Sequence, residues 1–342
     1  MGIQQDISEK YNILVTGIGA PGAPSIINKL KKVCSFILGV DCNIEYCASK
    51  HFVNVYKQVP KATDKLFFEN ILKLIKEYNI THIICLVTVE LNEFAKYKSV
   101  LDELNVKIYI HPEKDITISS NKHNLYEHLK EIIQLPRYIK ITLRDIEKNL
   151  YLFNYPQKEV CFKPLNLDGA RGFRIISNKV NRLKQMMTEK PYNTYTSLDE
   201  LKFLLNEFDD NYDVLLCEYL PGQEYTVDTF VKNGKLIHHT IRTRLKTKDH
   251  ISVVGEIVKN DSISEQVFKI NSMFNFNGCV GYQFKENIEG IPLLLECNPR
   301  LQGGTILSCQ DFDYISANIT NVKKIKNNKY TKMLRYFQES YE

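Results

Sequence analysis

The sequence predicts an α/β domain with a Rossmann-like parallel sheet, followed by an α+β domain built from two subdomains. Strand and helix patterns alternate through the first third of the chain, which is typical of a parallel sheet with helical crossovers. From about residue 119 onward the pattern changes to hairpins separated by single helices. The length of 342 residues fits two or three compact units better than one core.

The N-terminal domain is predicted from its alternating elements. Asn12–Thr16 is a short apolar strand, followed by a glycine-rich turn and a helix at 24–33. Glu90 follows the third predicted strand, where open α/β sheets present ligands, so it is either a substrate contact or a solvated loop acid. The other predicted elements are strands at 36–40, 81–89 and 107–110 and helices at about 65–78 and 93–105.

The Gly17–Gly22 turn matches the pattern G-x-G-x-x-G, which raises the alternative of an NAD-dependent oxidoreductase. Asp41 ends the next apolar run, about where a dinucleotide fold has its ribose-binding acid. Pro21 interrupts the turn, and glycines also let a strand turn sharply into its helix without any ligand. Both interpretations stay open on these residues alone.

Composition excludes several classes of protein. Hydrophobic residues at 44% and charged residues at 25% are typical of a globular domain, and a net charge of +5 is too small to indicate nucleic-acid binding. The polar N-terminus is not typical of a secretory or transit peptide, and no run of about 18 apolar residues predicts a membrane span. The nine cysteines show no C-x-x-C pair, which favours reduced thiols and a cytoplasmic location.

The stretch 278–304 carries the most specific chemistry. It predicts two strands joined by a tight turn, with Glu296 and Asn298 two residues apart and therefore on one face where the second strand ends. Gln283 can approach Glu296 and Asn298 from the neighbouring strand. Such oxygen atoms suit Mg²⁺ (or Mn²⁺), while Arg300 suits phosphate charge. The alternative is that Glu296 caps a strand and Asn298-Pro299 opens an ordinary turn.

A second candidate site is the hairpin predicted at 160–176. Lys163 ends its first strand and offers a point charge to phosphate, while Gly169 and Gly172 would let a loop close its backbone N–H groups over phosphate oxygens. The segment has no G-K-[ST] sequence, so it is not a P-loop. It is either a lid over phosphates or an ordinary hairpin turn.

Taken together, these motifs resemble the ATP-grasp superfamily, particularly its carbamoyl-phosphate-synthetase-like carboxylate-amine ligases. The resemblance covers nearly the whole chain. Its strongest part is the set Gln283, Glu296, Asn298 and Arg300, three of which lie in the sequence ECNPR. It implies a Rossmann-like pre-ATP-grasp domain at 1–118, an ATP-grasp domain at 119–312 with a flap subdomain at about 140–217, and a C-terminal helix and tail at 313–342.

The resemblance also implies roles for individual residues, with ATP and Mg²⁺ (or Mn²⁺) as cofactors. Lys122 and Lys163 would bind phosphates, with Gly169 and Gly172 in the flap above them, and Arg300 and Lys163 would be catalytic. The segment Glu218, Tyr219 and Leu220 would meet the adenine edge, and Glu224 would bind the ribose. The predicted metal ligands are Gln283, Glu296 and Asn298.

The implied reaction joins a small-molecule carboxylate to an amine through an acyl phosphate. Arg242 and Arg244 alternate on a predicted strand and are candidate anchors for the acid, although a solvated basic edge explains them as well. A small-molecule kinase on the same scaffold is the nearest alternative function. No nucleic-acid or membrane partner is expected, and a homodimer is possible.

Overall fold

The structure is a computed structural model, and it describes residues 11–165, 167, 171–188, 194–248, 251–320 and 330–336. The chain divides into two compact units. Unit one contains residues 1–120, 224–283 and 297–342, and unit two contains 121–223 and 284–296. The domain limits given above stay a prediction.

The N-terminal part of unit one contains a five-stranded parallel sheet, as the alternating pattern predicts. The order is β3-β2-β1-β4-β5, and every neighbouring pair is parallel. The edge strand β3 was not predicted, because most of its residues are exposed and its sequence does not alternate. The strands are β1 (Asn12–Thr16), β2 (Phe36–Asp41), β3 (Val55–Gln58), β4 (His82–Cys85) and β5 (Lys107–Ile108).

The helices of this part follow the predicted positions, with two corrections. The expected helix at 93–105 is two helices that meet at Tyr97, and the expected strand at 81–89 ends at Cys85, before a turn that contains Glu90. A helix that begins directly after Pro112 was also not predicted. The helices are α1 (Ala23–Leu30), α2 (Phe67–Glu77), α3 (Leu91–Lys96), α4 (Lys98–Glu103) and α5 (Glu113–Ser120).

Unit two contains a five-stranded sheet with the order β6-β10-β7-β8-β9. The predicted hairpin at 160–176 is confirmed as the antiparallel pair β7 and β8. Asn121 caps the helix that carries Lys122, because its side chain accepts the backbone N–H of Asn124. The elements are α6 (Lys122–Leu129), β6 (Tyr138–Thr142), α7 (Ile146–Asn149), β7 (Val160–Pro164), β8 (Arg174–Ile176), α8 (Arg182–Thr188), β9 (Tyr195–Thr196), α9 (Leu198–Glu207) and β10 (Asp213–Glu218).

The remaining strands form a six-stranded sheet with the order β15-β14-β11-β12-β13-β16. A hairpin turns at Asn233-Gly234, a sequence typical of such turns, and both residues have positive φ, as a two-residue type I′ turn requires. The elements are β11 (Glu224–Lys232), β12 (Lys235–Lys248), β13 (Ile251–Val258), α10 (Asp261–Ser272), β14 (Gly278–Glu286), β15 (Pro292–Asn298), α11 (Thr305–Ser308), α12 (Tyr314–Ala317) and β16 (Lys332–Leu334).

The C-terminal segment differs from the peripheral helix that the sequence suggested. Every residue of α12 is buried, and Tyr314 and Ile315 pack in one core cluster with Ile27 and Leu30 of α1. Polar Asn and Lys residues nearby obscured the apolar face of this short helix. The C-terminal segment therefore contributes to the core of unit one.

None of the nine cysteines, all of which lie within the described residues, forms a disulfide bond. Six are buried, Cys34 and Cys85 are half-buried, and only Cys42 is exposed. Burial raises the pKa of the Cys34 and Cys217 thiols to about 11. No helix in the described ranges is long and apolar enough to cross a bilayer.

Candidate functional site

Three predicted site residues meet in unit two, although they come from separate parts of the chain. Lys122 begins α6, Lys163 lies in β7, and Glu296 lies near the end of β15. The Lys122 Nζ atom donates to the Leu167 carbonyl at 2.8 Å and lies 3.8 Å from Glu296 Oε2. The Lys122 side chain is only 9% exposed, so its ammonium group is largely shielded from water and lies beside a carboxylate.

Tyr126 connects these residues and was not predicted from the sequence. Its hydroxyl lies 2.8 Å from the Leu294 carbonyl oxygen and accepts a hydrogen bond of 3.2 Å from Lys163 Nζ. Lys163 also donates to the Leu295 carbonyl at 3.2 Å. Burial raises the pKa of Tyr126, so the phenol is neutral at ordinary pH. Its position four residues after Lys122, on the same face of α6, is the signal that could have identified it.

Two described residues of the predicted phosphate loop, Leu165 and Leu167, contact Lys122 of this cluster. The Lys122 backbone N–H donates to the Leu165 carbonyl at 3.1 Å, which ties the start of α6 to the end of β7. Gly172 has φ +72, and a Cβ atom there would lie 2.5 Å from Pro164 Cγ, so the returning strand requires glycine at this position. Gly169 falls outside the described residues, and its role stays a prediction.

The segment predicted to meet an adenine base follows β10. Glu218 is the last residue of the strand, and its carboxylate accepts the Arg137 backbone N–H at 3.0 Å, so this side chain stabilises the unit itself. Tyr219 donates its backbone N–H to the Glu159 carbonyl at 3.4 Å, and Lys285 Nζ lies 5.1 Å from the centre of its ring. Leu220, two residues beyond the end of β10, is buried, with 3% of its surface exposed.

A second group of predicted residues meets in unit one. Arg244 Nη1 forms a short ion pair with Glu224 Oε1 and lies 3.5 Å from Gln283 Oε1. The sequence assigned these residues to substrate, ribose and metal, respectively. They lie on the neighbouring strands β12, β11 and β14, which explains how positions 20 to 39 residues apart reach one another.

Arg300 is fixed at three points in unit one. Its Nε atom donates to Thr88 Oγ1 at 2.9 Å, Nη1 donates to the Leu301 carbonyl at 3.0 Å, and Nη2 lies 3.4 Å from Asn298 Oδ1. The preceding Pro299 carbonyl accepts a 3.0 Å hydrogen bond from His111 Nε2. Burial lowers the pKa of His111 to about 4, so the ring is neutral and its Nδ1 can accept the Asn277 backbone N–H.

Asp228 organises the chain after Arg300, and sequence reasoning missed it. Its carboxylate is buried and accepts four hydrogen bonds. Arg242, one of the predicted substrate anchors, donates its Nε–H to this network. Its side chain is 2% exposed, so it is buried and does not project from the strand as the sequence pattern suggested. The donors are Arg242 Nε at 2.9 Å, Gln302 Nε2 at 3.1 Å, Thr305 Oγ1 at 2.7 Å and Ser308 Oγ at 2.6 Å.

The glycine-rich turn is filled by side chains of the chain itself. Asp41 Oδ2 accepts the Gly19 backbone N–H at 2.9 Å, and a Cβ atom on Gly19 would lie 2.9 Å from Cys47 Sγ. A Cβ atom on Gly22 would lie 2.5 Å from Gly303 Cα. The glycines therefore allow close packing. Asp41 binds the turn with a carboxylate oxygen that would bind the ribose in a dinucleotide site.

The three sheets and their order define the chain as an ATP-grasp fold with an N-terminal parallel α/β domain, which confirms the predicted fold class. Residues 210–338 match the family described as "ATP-grasp in the biosynthetic pathway with Ter operon". This match covers less than half of the chain, and it agrees with the resemblance to the ATP-grasp superfamily that the motifs indicated. A search of curated proteins gave no match.

Several solved structures are similar to this chain at low sequence identity. L-amino acid ligase from Bacillus licheniformis has a TM-score of 0.66 at 15% identity, over 94% of this chain and 77% of that chain. N5-carboxyaminoimidazole synthetase from Staphylococcus aureus, complexed with ADP, has 0.65 at 16% identity, over 91% and 77%. Biotin carboxylase from Campylobacter jejuni, in a beta-gamma-ATP complex, has 0.66 at 14% identity, over 95% and 74%.

Proposed function

We propose that this protein is an ATP-dependent ligase that joins a small-molecule carboxylate to an amine through an acyl phosphate. The observation that carries the proposal is the meeting of Lys122, Lys163 and Glu296 around Tyr126. A buried lysine, a half-buried lysine and a carboxylate beside a hairpin loop suit a nucleoside triphosphate and its cation. The similar synthetase and carboxylase whose structures hold ADP and beta-gamma-ATP support the same conclusion.

In this proposal the nucleotide contacts follow the predicted residues. Lys122 and Lys163 neutralise phosphate charge, and Gly172 allows the loop between β7 and β8 to turn close above it. The backbone of Tyr219 and Leu220 meets the adenine edge, and Glu224 accepts hydrogen bonds from the ribose hydroxyls. Glu218, which binds Arg137, contributes through its backbone and not through its carboxylate.

The metal ligands proposed are oxygen atoms of Glu296, Asn298 and Gln283. The described residues contain no group of three or more His, Cys, Asp or Glu side chains suited to a metal, so the set depends on one carboxylate and two amide oxygens. Such a sparse, oxygen-only set fits Mg²⁺ or Mn²⁺, which commonly takes its other ligands from water and substrate phosphates. The cation would neutralise charge on the transferring phosphoryl group.

Two arginines offer a place for the acid substrate. Arg335 Nη2 donates to the Gly303 carbonyl at 2.5 Å, and a Cβ atom on Gly304 would lie 2.5 Å from Arg242 Nη1, so both guanidinium groups converge on one glycine turn. Burial, together with the charge of Arg242, lowers the pKa of Arg335. Arg242 already has the Asp228 carboxylate as its counter-charge, so Arg335 is the guanidinium here with which a bound carboxylate would pair. Both predicted anchors, Arg242 and Arg244, have carboxylate partners within the chain, Asp228 and Glu224 respectively.

The reaction proceeds in two transfers. A carboxylate oxygen of the acid attacks the γ-phosphorus, and the bond to ADP breaks. The amine nitrogen then attacks the acyl carbon, and the carbon–oxygen bond to phosphate breaks. The protein positions the groups and neutralises charge, with Arg300 directed at the transferring group. A kinase on this scaffold would stop after the first transfer, so dependence of product on an amine distinguishes the two functions.

We expect Lys163→Met to weaken Mg-ATP binding about 10- to 100-fold, because a charged hydrogen bond to phosphate is lost. Thermal unfolding with and without Mg-ATP measures this, since a ligand of the native state raises its stability by mass action. Lys158→Met, at an exposed position just before β7, is the matched control and should keep the wild-type shift.

The same experiment tests the nucleotide assignment as a whole. Stabilisation of the wild type by NAD alone would contradict it and return the Gly17–Gly22 turn to consideration. Equal shifts for Lys163→Met and the wild type would remove Lys163 from the phosphate site. After a positive result, L-amino acids are the first acids and amines to screen for ADP release, because one similar structure is an L-amino acid ligase.

A further inference from the structure

Glu90 is a buried carboxyl group at the ligand-presenting edge of the parallel sheet. It is the last residue of the turn that follows β4 and directly precedes α3, and it is only 7% exposed. Thr16, the last residue of the neighbouring β1, donates a short hydrogen bond from its hydroxyl to Glu90 Oε2. The side chain therefore lies at the carboxyl ends of two adjacent strands, where open α/β sheets bind their ligands.

No cation of unit one compensates the charge of Glu90 in the described part of the chain. Its one hydrogen bond there is that from Thr16, which leaves Oε1 without a partner. The groups that face it are Asp41 at the end of β2, which is also acidic, and the Cys85 thiol at the end of β4. Burial raises the pKa of Glu90 to about 7, the Thr16 hydrogen bond opposes this, and the charge of Asp41 adds to it.

The same turn also holds Arg300. Thr88, two residues before Glu90, accepts the hydrogen bond from Arg300 Nε at 2.9 Å. The proposed function directs Arg300 at the group that is transferred to the acid. Glu90 therefore lies on the element that anchors the arginine of the proposed reaction centre.

We propose that Glu90 binds the amine substrate and accepts a proton from it, an inference that rests on the proposed ligase function. A protonated amine pairs with the Glu90 carboxylate and transfers one proton to Oε1. The neutral nitrogen then attacks the acyl carbon, the bond from that carbon to the phosphate oxygen breaks, and the second nitrogen-bound proton leaves with the phosphate. The amine supplies the cation that this buried acid lacks.

A purely structural role explains Glu90 less well. A buried carboxyl without a cationic partner is costly, and its cost grows when a second acid lies near. Glutamine would accept the same hydrogen bond from Thr16 in the same space without that cost. The carboxyl is therefore explained by a need for charge or for proton exchange, and its position at the sheet edge identifies an amine as the group served.

The test compares two nucleophiles on Glu90→Gln. Hydroxylamine is largely neutral at neutral pH and traps an acyl phosphate as a hydroxamate without needing a protein base. We expect the variant to form hydroxamate at the wild-type rate with the acid that the wild type accepts, while amide formation with the matching amine falls about 100-fold or more. Glu103→Gln, on the exposed face of α4, should behave as the wild type in both assays.

The outcomes separate the two proposals. Equal amide formation by Glu90→Gln and the wild type would overturn the role of Glu90 and leave the ligase function standing. Equal losses of hydroxamate and amide would also overturn it, because Glu90 would then serve the first transfer or the fold. If the wild type itself forms no hydroxamate with any acid, the ligase function fails, and the inference fails with it.

The pH profile gives a second readout that a structural role would not change. The carboxyl must be deprotonated to accept a proton, so the wild-type kcat/KM for the amine should rise with pH through about 7, where the pKa of Glu90 lies. In Glu90→Gln, kcat/KM should no longer rise near pH 7 and should rise only where the amine substrate itself loses its proton. A profile unchanged by the substitution would contradict the proposal.

Discussion

We expect Glu296→Gln to lower ATP turnover by about a thousandfold or more while the protein remains folded, because several kcal/mol of charge stabilisation at the transferring phosphoryl group are lost. Glutamine keeps the size of the side chain but removes the only carboxylate among the proposed metal ligands. It also removes the negative charge that lies 3.8 Å from Lys122 Nζ. ADP release in the presence of Mg²⁺ or Mn²⁺ measures the effect.

The matched control is Glu289→Gln, an exposed acid in the turn between β14 and β15. It removes the same charge from the same hairpin without touching the Lys122 cluster, and it should turn over ATP at the wild-type rate. Wild-type turnover by Glu296→Gln would show that the metal assignment is wrong. A loss shared with Glu289→Gln would indicate a general effect of charge on the hairpin.

We expect Asp228→Ala to reduce the free energy of unfolding by about 3–5 kcal/mol, since it leaves the buried Arg242 guanidinium without its counter-charge. The substitution also removes the acceptor of Gln302, Thr305 and Ser308, which together hold the segment after Arg300. Equilibrium urea unfolding measures the loss, followed by tyrosine fluorescence because the chain has no tryptophan.

Asp261→Ala is the control for this second prediction. Asp261 is exposed at the first position of α10, so its loss should cost less than about 1 kcal/mol. Equal urea midpoints for the two variants would contradict the stabilising role of Asp228. Rescue of Asp228→Ala by a second substitution, Arg242→Met, would show that the cost arises from the unpaired charge.

The local parts of this structure were predictable from the sequence. The hairpin around Asn233-Gly234 follows from residues that tolerate positive φ, and the strand pair at 278–298 follows from apolar runs that flank a turn. Glu296 and Asn298 were placed on one face by the two-residue period of a strand alone. The strand and turn predictions held because each depends on neighbours within a few residues.

Features that depend on distant partners were not predictable. In the sequence, Asp228 is a single polar residue within an apolar strand. The four groups that donate hydrogen bonds to it lie 14 to 80 residues away along the chain. Tyr126 reads as an ordinary core aromatic until Leu294, 168 residues later, is placed beside its hydroxyl. Arg242 and Arg244 have the same spacing pattern, but only the fold shows that one is buried against Asp228 and the other pairs with Glu224.

Because most thiols are buried, their rates of chemical modification report how often the surrounding structure opens. Only a thiolate reacts readily with an alkylating reagent, so a shielded cysteine with a raised pKa is modified mainly when its surroundings open. Cys161 and Cys217 lie in the sheet of unit two, whereas Cys279 and Cys309 lie in unit one. The alkylation rates of these four thiols, resolved by mass spectrometry, would therefore time the opening of each unit separately.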